Sequence, residues 1–264
     1  MPFKTKLHYM MHAIVATKVA RVRQTAIAAG GHVTWRFSQV ENPVRSLICS
    51  HADTSGGICE MVSAKWLEAH AKGDHIANWL EKGGPIDANK IRQLMQLFAI
   101  GTTMHPERMR GGDQVLDDTA DDQDKATAIW LQTKGIVRKT GIVGVQFLHE
   151  GLKHVPSGAK AERNGRQRRV LARTLGEEIA RGFGTYKTVG FSGPHFAHAC
   201  AAWSHRDVTW FDPNFGEFWF EDRAAFIEWF PTFWHTAGYG TPQIGLSESY
   251  DVREYYYPLK RNAA

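Results

Sequence analysis

Gly56-Gly57-Ile58-Cys59-Glu60-Met61-Val62-Ser63-Ala64-Lys65-Trp66-Leu67 sets a cysteine where a glycine-rich loop gives way to an amphipathic helix. Ile58, Met61, Val62, Trp66 and Leu67 recur at three- and four-residue spacings, which predicts one buried stripe along that helix. At a helix N-terminus the unsatisfied backbone N–H groups and the macrodipole stabilise an anion, so a thiolate forms there at lower pH than in an isolated cysteine. Position alone leaves two readings open: an activated nucleophile, or a small apolar residue packed inside the protein.

A thiol nucleophile needs a base, and the base needs a third group to fix its tautomer and orientation. His198 lies in the strand-like run His195-Phe196-Ala197-His198-Ala199-Cys200-Ala201-Ala202-Trp203. It follows Cys59 by 139 residues, inside the interval of about 130 to 150 that papain-like enzymes use. With thirteen histidines in the chain, that interval is easily met by chance. His195 competes as the base, because residues three apart on a strand face opposite sides and only one can look toward Cys59. The third element is Trp210-Phe211-Asp212-Pro213-Asn214-Phe215-Gly216-Glu217-Phe218. An aspartate ending one strand can reach a histidine on its neighbour, although the same residues also make a good hairpin connection with no further role.

Working outward, the 264 residues suffice for one sizeable core, and 43% hydrophobic with 22% charged residues excludes a chain that is disordered throughout. Cys49, Cys59 and Cys200 form no CxxC pair and no zinc-ligand spacing, so no disulfide framework and no cofactor are expected. A metal site from His195, His198 and Cys200 lacks a second ligand cluster, and Cys49 and Cys200 read as core residues. A working thiol must stay reduced, which points to a cytosolic setting, whether its own or a host's. No uninterrupted apolar run of about eighteen residues occurs, so no membrane-spanning helix is expected. The basic, helical-looking stretch from Met10 to Gly30 lacks a signal-peptide pattern.

The net charge of +5 is unevenly spread. Lys153, Lys160, Arg163, Arg166, Arg168 and Arg169 make a basic cluster, and Asp113, Asp117, Asp118, Asp121, Asp122 and Asp124 an acidic one. Aromatic interleaving and nucleic-acid motifs are missing from the basic cluster, so no nucleic-acid partner is expected. Arg163, Arg166, Arg168 and Arg169 read as a solvated face, or as contacts to an anionic membrane surface or an acidic protein.

Periodicity predicts further helices at about 74 to 82, 88 to 100, 119 to 133, 164 to 182 and 222 to 235, the last bent at Pro231. Short aromatic and β-branched runs from Tyr186 onward predict antiparallel strands at Phe196–Trp203, Val208–Phe211, Phe218–Phe220 and Tyr250–Tyr257. Helices first and strands later imply an α+β fold, the helical first half packed on an antiparallel sheet from the second half. Residues 46–264 are read as the catalytic domain, and residues 1–45 as a loosely attached N-terminal extension with a secretion or targeting role.

At these motifs the chain resembles the YopT/AvrPphB-type cysteine proteases, bacterial effector enzymes with a papain-like fold. The resemblance rests on Gly57-x-Cys59 with Ser63 and Trp66 in the following helix, on His198-Ala199, and above all on Phe211 to Phe218. It implies that Cys59, His198 and Asp212 form a catalytic triad, with His198 preferred over His195. It also implies a secreted effector or toxin acting on a protein substrate in a target-cell cytosol, with host GTPases and protein kinases as substrate classes. Papain-like enzymes take one oxyanion donor from an amide side chain a few residues before the nucleophile. Asp53 stands there in this chain, and an ionised carboxylate cannot donate a hydrogen bond, so either Asp53 is protonated and donates, or it plays another role, or Thr54 or Ser55 donates instead. The same triad also supports a glutamine deamidase or transglutaminase-like activity, and the fold without activity would serve as a binding module.

Overall fold

A computed structural model describes residues 3–103, 122–139, 172–192, 197–241 and 249–258. Two N-terminal helices, α1 (Phe3–Ala16) and α2 (Val19–Ala28), lead into strand β1 (His32–Trp35). Helices α3 (Val44–Ile48), α4 (Cys59–Ala71), α5 (Ile76–Leu80), α6 (Ala88–Thr103) and α7 (Asp122–Thr133) follow, and then the two-residue β2 (Val137–Arg138). After α8 (172–180) come β3 (Thr185–Ser192), β4 (Ala197–Ser204), β5 (Val208–Asp212), β6 (Gly216–Phe220), α9 (Arg223–Ala237) and β7 (Ser249–Tyr256). The strands form one antiparallel sheet in the order β1-β6-β5-β4-β3-β7-β2.

Both faces of this sheet are covered, because successive side chains point to opposite sides. Cys200, Ala202, Trp210 and Phe218 face one core with α2, α8 and α9, while Ala201, Phe211 and Tyr186 face a second core with α3 to α7. In the first core α9 supplies Phe226, Trp229, Phe230, Phe233 and Trp234, which meet the sheet in edge-on pairs such as Trp210 with Phe230 at 5.4 Å and 85°. That helix starts with the Asp222 carboxylate accepting from Ala224 N at 3.0 Å and stops at left-handed Gly238, φ 82°. Helix α4 is buried on nearly every side, which its central place between the sheet and α6 and α7 requires. Its buried Glu68 is neutralised by Lys65 at 2.6 Å and Lys72 at 2.7 Å.

Two features depart from the sequence-based expectation. The sheet recruits β1 and β2, both of which precede Tyr186 where the strands were expected to begin, as its two edges. Residues before 46 are built into the same core: Val19, Val22 and Ala26 of α2 pack against the sheet and α9. The buried Arg23 guanidinium donates from Nε to Phe215 O at 2.9 Å, and from Nη2 to Arg36 O at 2.9 Å and Phe37 O at 3.1 Å. An arginine whose fork satisfies three carbonyls ties this segment to the turn after β5, so residues 19–45 are not a loose extension. The helix expected at 164 to 182 is described only over 172–180. Glu178 O and Ile179 O in its last turn, and Arg181 O just beyond it, accept from the fully buried Lys187 ammonium. The basic cluster from Lys153 to Arg169 and most of the acidic cluster lie outside the described residues.

Candidate active site

Cys59 is the first residue of α4, and the loop before it is held from outside. Gly57 has φ 123°, a backbone state that disfavours any side chain. The next amide, Ile58 N, donates to Gln39 Oε1 at 3.0 Å. Ser63 Oγ donates to Ala199 O at 3.2 Å, and Trp66 Nε1 to Glu217 Oε2 at 2.5 Å, so the two α4 residues in the motif fix the helix to β4 and β6. Glu217 also accepts from Thr34 Oγ1 at 2.6 Å and from His75 Nε2 at 3.2 Å.

The structure brings Cys59, His198 and Asp212 together. Cys59 remains partly accessible, and its sulfur hydrogen-bonds the His198 ring and backbone groups of Glu60 and Ala199. His198, near the start of β4, donates from Nε2 to Asp212 Oδ1 at 2.8 Å. The acceptor is a carboxylate, so Nε2 carries the proton and Nδ1 is turned to the sulfur. Burial opposes ionisation of both partners. The bond to and charge of His198 outweigh it at Cys59 and lower the thiol below its ordinary value, while Asp212 outweighs it at His198 and raises the imidazole. Both shifts favour the thiolate and imidazolium over the neutral pair.

Asp212 ends β5 fully buried. It accepts from His198, from Asn214 N at 2.8 Å, from Tyr239 Oη at 2.8 Å and from the Cys200 thiol. Asn214 Nδ2 donates to Tyr239 Oη at 3.1 Å, and Gln39 Nε2 donates to Asn214 Oδ1 at 2.9 Å. These bonds close a ring: the loop before Cys59, Gln39, Asn214, Tyr239, Asp212, His198, and back to Cys59. Every member has a fixed donor sense, since the carboxylate only accepts and the backbone N–H only donates. The ring residues Gln39 and Tyr239 escape sequence reading, because neither lies near a motif and only tertiary contacts reveal their role.

The sequence-based oxyanion donors are not where they were expected. Asp53 is exposed on a 3-10 turn, Ala52–Thr54, and the hydroxyl of the buried Thr54 is engaged by Ile48 O at 2.9 Å. Ser55 Oγ donates to Ala52 O at 2.9 Å and meets His8 Nδ1 at 3.0 Å. His195, the rival base, lies outside the described residues. Cys200 and Cys49 are buried core residues, as their sequence surroundings suggest. His198, Cys200 and Asp212 keep their potential ligand atoms within 4.8 Å of one another, and the hydrogen bonds just described account for that closeness. A cavity of about 50 Å³ beside this group is lined by Gln39, Gly56, His198, Asn214 and Tyr239, and by His8 and His12 of α1. Burial pushes His12 down to about 4, so it adds no positive charge beside His198 at neutral pH.

A family model described as Yersinia/Haemophilus virulence surface antigen, the C58 peptidases, matches residues 23–248. The cysteine protease YopT of Yersinia enterocolitica is 30% identical over 254 residues, covering 95% of this chain and 72% of that protein. The protein adenylyltransferase and cysteine protease IbpA of Histophilus somni is 28% identical over 235 residues, 88% of this chain and 5% of that protein. Among solved structures, the Pseudomonas avirulence protein AvrPphB aligns with a TM-score of 0.48 and 17% identity, over 78% of this chain and 93% of that one.

Proposed function

Because the chain belongs to the Yersinia/Haemophilus virulence surface antigen family, the C58 cysteine peptidases, we propose that Cys59 is its nucleophile, His198 its general acid and base, and Asp212 the orienting carboxylate. The protein is a cysteine protease with an α+β fold. The observation that supports these roles is the hydrogen-bonded line from Cys59 through His198 to Asp212.

In this reading the Cys59 thiolate attacks the carbonyl carbon of a peptide bond, and the electron pair of that carbonyl moves onto its oxygen. The Cys59 backbone N–H is one donor to that oxyanion. Gln39 is the proposed second, because one Nε2 hydrogen is engaged by Asn214 and the other is free for a ligand in the cavity it lines with His198. Collapse of the adduct breaks the C–N bond as the imidazolium gives its Nδ1 proton to the leaving amine. Water, deprotonated by the now neutral His198, then attacks the thioester; the acid product leaves and the thiolate and imidazolium are restored.

Gln39→Glu keeps an acceptor for Ile58 N but has no hydrogen to donate. It is expected to lower kcat by about 10²- to 10³-fold with KM little changed. A kcat near wild type would move the second donor elsewhere.

The substrate is proposed to be a host protein, a GTPase or a kinase, met in a target-cell cytosol after secretion. Any such secretion or targeting role of the N-terminal segment would fall to residues ahead of the buried Val19. No described helix is long and apolar enough to cross a membrane. The deciding experiment exposes a host-cell lysate to wild type and to Cys59→Ala and maps new protein N-termini. Termini that appear only with wild type support proteolysis and identify the target. A one-dalton gain at glutamine without new termini would instead assign a deamidase.

The pH profile follows from the signs of the two shifts. Activity rises as Cys59 ionises, on a limb below the ordinary thiol value of 9.0, and falls as His198 loses its proton, above the ordinary imidazole value of 6.5. A single limb in the ordinary thiol range would contradict a preformed ion pair.

A further inference from the structure

Residues 1–40 contain six basic side chains, Lys4, Lys6, Lys18, Arg21, Arg23 and Arg36, and no aspartate or glutamate; the first acid is Glu41. Within this stretch α1 has two apolar faces. Val15 on the inner face packs into the core, with Met11 against it. On the outer face Leu7, Met10 and Ile14, at helical spacing, are 40%, 53% and 43% exposed. Of the eight large hydrophobic residues exposed among the described residues, four lie on α1, counting Tyr9, and a fifth, Ile27, on α2. The contiguous stripe of Leu7, Met10 and Ile14 separates this face from the scattered exposure of ordinary surfaces. Lys6, one turn before Met10 on α1, and Arg21 on α2 are exposed.

We propose that the outer face of α1, bordered by the basic residues of α1 and α2, docks the protein on an anionic membrane surface. A helix with an aliphatic stripe and basic flanks lies in the plane of the bilayer, its apolar side chains in the boundary between headgroups and acyl chains. The long Lys and Arg stems let their charges reach lipid phosphates and carboxylates. At about 1.5 Å per residue, the 14 residues of α1 are too short to span the hydrocarbon core of about 30 Å, so the helix lies on the surface. A second copy of the chain fits this face less well, since two acid-free basic borders would repel each other.

The inner side of the same helix touches the loop before Cys59, through His8 to Ser55 Oγ at 3.0 Å and His12 to Gly56 O at 3.4 Å. Docking through α1 therefore holds the catalytic cavity beside the lipid surface.

The test is co-sedimentation of the full chain with phosphatidylcholine vesicles and with vesicles of phosphatidylcholine mixed with phosphatidylserine. Wild type is expected to sediment with the mixed vesicles only, and less so as salt is raised. Met10→Asp with Ile14→Asp should weaken binding at least about tenfold, and Lys6→Glu with Arg21→Glu at least about tenfold. Both double variants should retain wild-type melting and wild-type cleavage of a soluble peptide, which separates this proposal from the assignment of the active site. Failure of wild type to bind the mixed vesicles overturns the proposal, as does undiminished binding by either folded double variant. Concentration-dependent self-association that Met10→Asp with Ile14→Asp abolishes, in the absence of vesicles, would assign the face to a second copy and overturn it equally. Should the apolar variant fail to fold, the charge-reversal variant alone decides.

Discussion

Cys59→Ala is expected to fold like wild type and to lose peptide cleavage by about 10⁴-fold or more. The two halves of that expectation have separate causes. Cys59 belongs to neither hydrophobic core, so removing its sulfur opens no large cavity, and alanine suits the first turn of α4. The chemistry has no substitute, because Cys49 and Cys200 are buried and burial, the largest influence on each, raises both their thiols. Labelling by an epoxysuccinyl reagent checks the point independently of any substrate: rapid modification of wild type should vanish in Cys59→Ala. Equal, slow labelling of all three cysteines in wild type would count against an activated Cys59.

Asp212→Ala should damage folding and activity together. The carboxylate is fully buried and satisfies His198, Asn214 N, Tyr239 Oη and the Cys200 thiol at once. Its removal orphans those donors where water does not readily reach, and leaves the imidazolium without its counter-charge. Breaking such a buried charged cluster costs about 3–5 kcal/mol, read as a lowered denaturant midpoint. Loss of imidazole orientation lowers kcat by about 10⁴-fold in whatever remains folded. Asp212→Asn refines the test, since it keeps the volume and one acceptor oxygen. It should be milder in stability, yet without the negative charge the His198 pKa falls and the thiol is less acidified. Thiolate absorbance followed against pH should then shift upward relative to wild type. A variant with unchanged stability and an unchanged titration would remove Asp212 from the site.

Local residues made the site legible. Cys59 with its following helix, His198 in an apolar strand and the run from Phe211 to Phe218 are each short in sequence, and their internal spacing carries meaning. The functions of Ser63, Trp66 and Glu217 became clear only in three dimensions, where they fix α4 to the sheet. The oxyanion expectation failed because spacing back from a nucleophile predicts a donor only if the intervening loop runs past the sulfur. Here Asp53 is exposed and the buried Thr54 is spent on Ile48 O, and an amide from twenty residues before Cys59 stands against the loop instead. The N-terminal segment was misread for a related reason. Four residues of β1 are too few to show alternation, and a basic helix reads as solvated until Arg23 is seen buried against three carbonyls.

The closed ring of hydrogen bonds bears on how the molecule comes into being. Its members run from Gln39 to Tyr239, and the Gln39–Asn214 bond joins residues 175 apart. Contacts of such separation carry a large loop-closure entropy and form only after the sheet that shortens the path between them. An unfolded or half-folded chain therefore holds an ordinary cysteine with an ordinary thiol. Proteolytic competence thus arrives only with the folded ring and is lost when the chain opens, so a partly folded copy is not itself a protease.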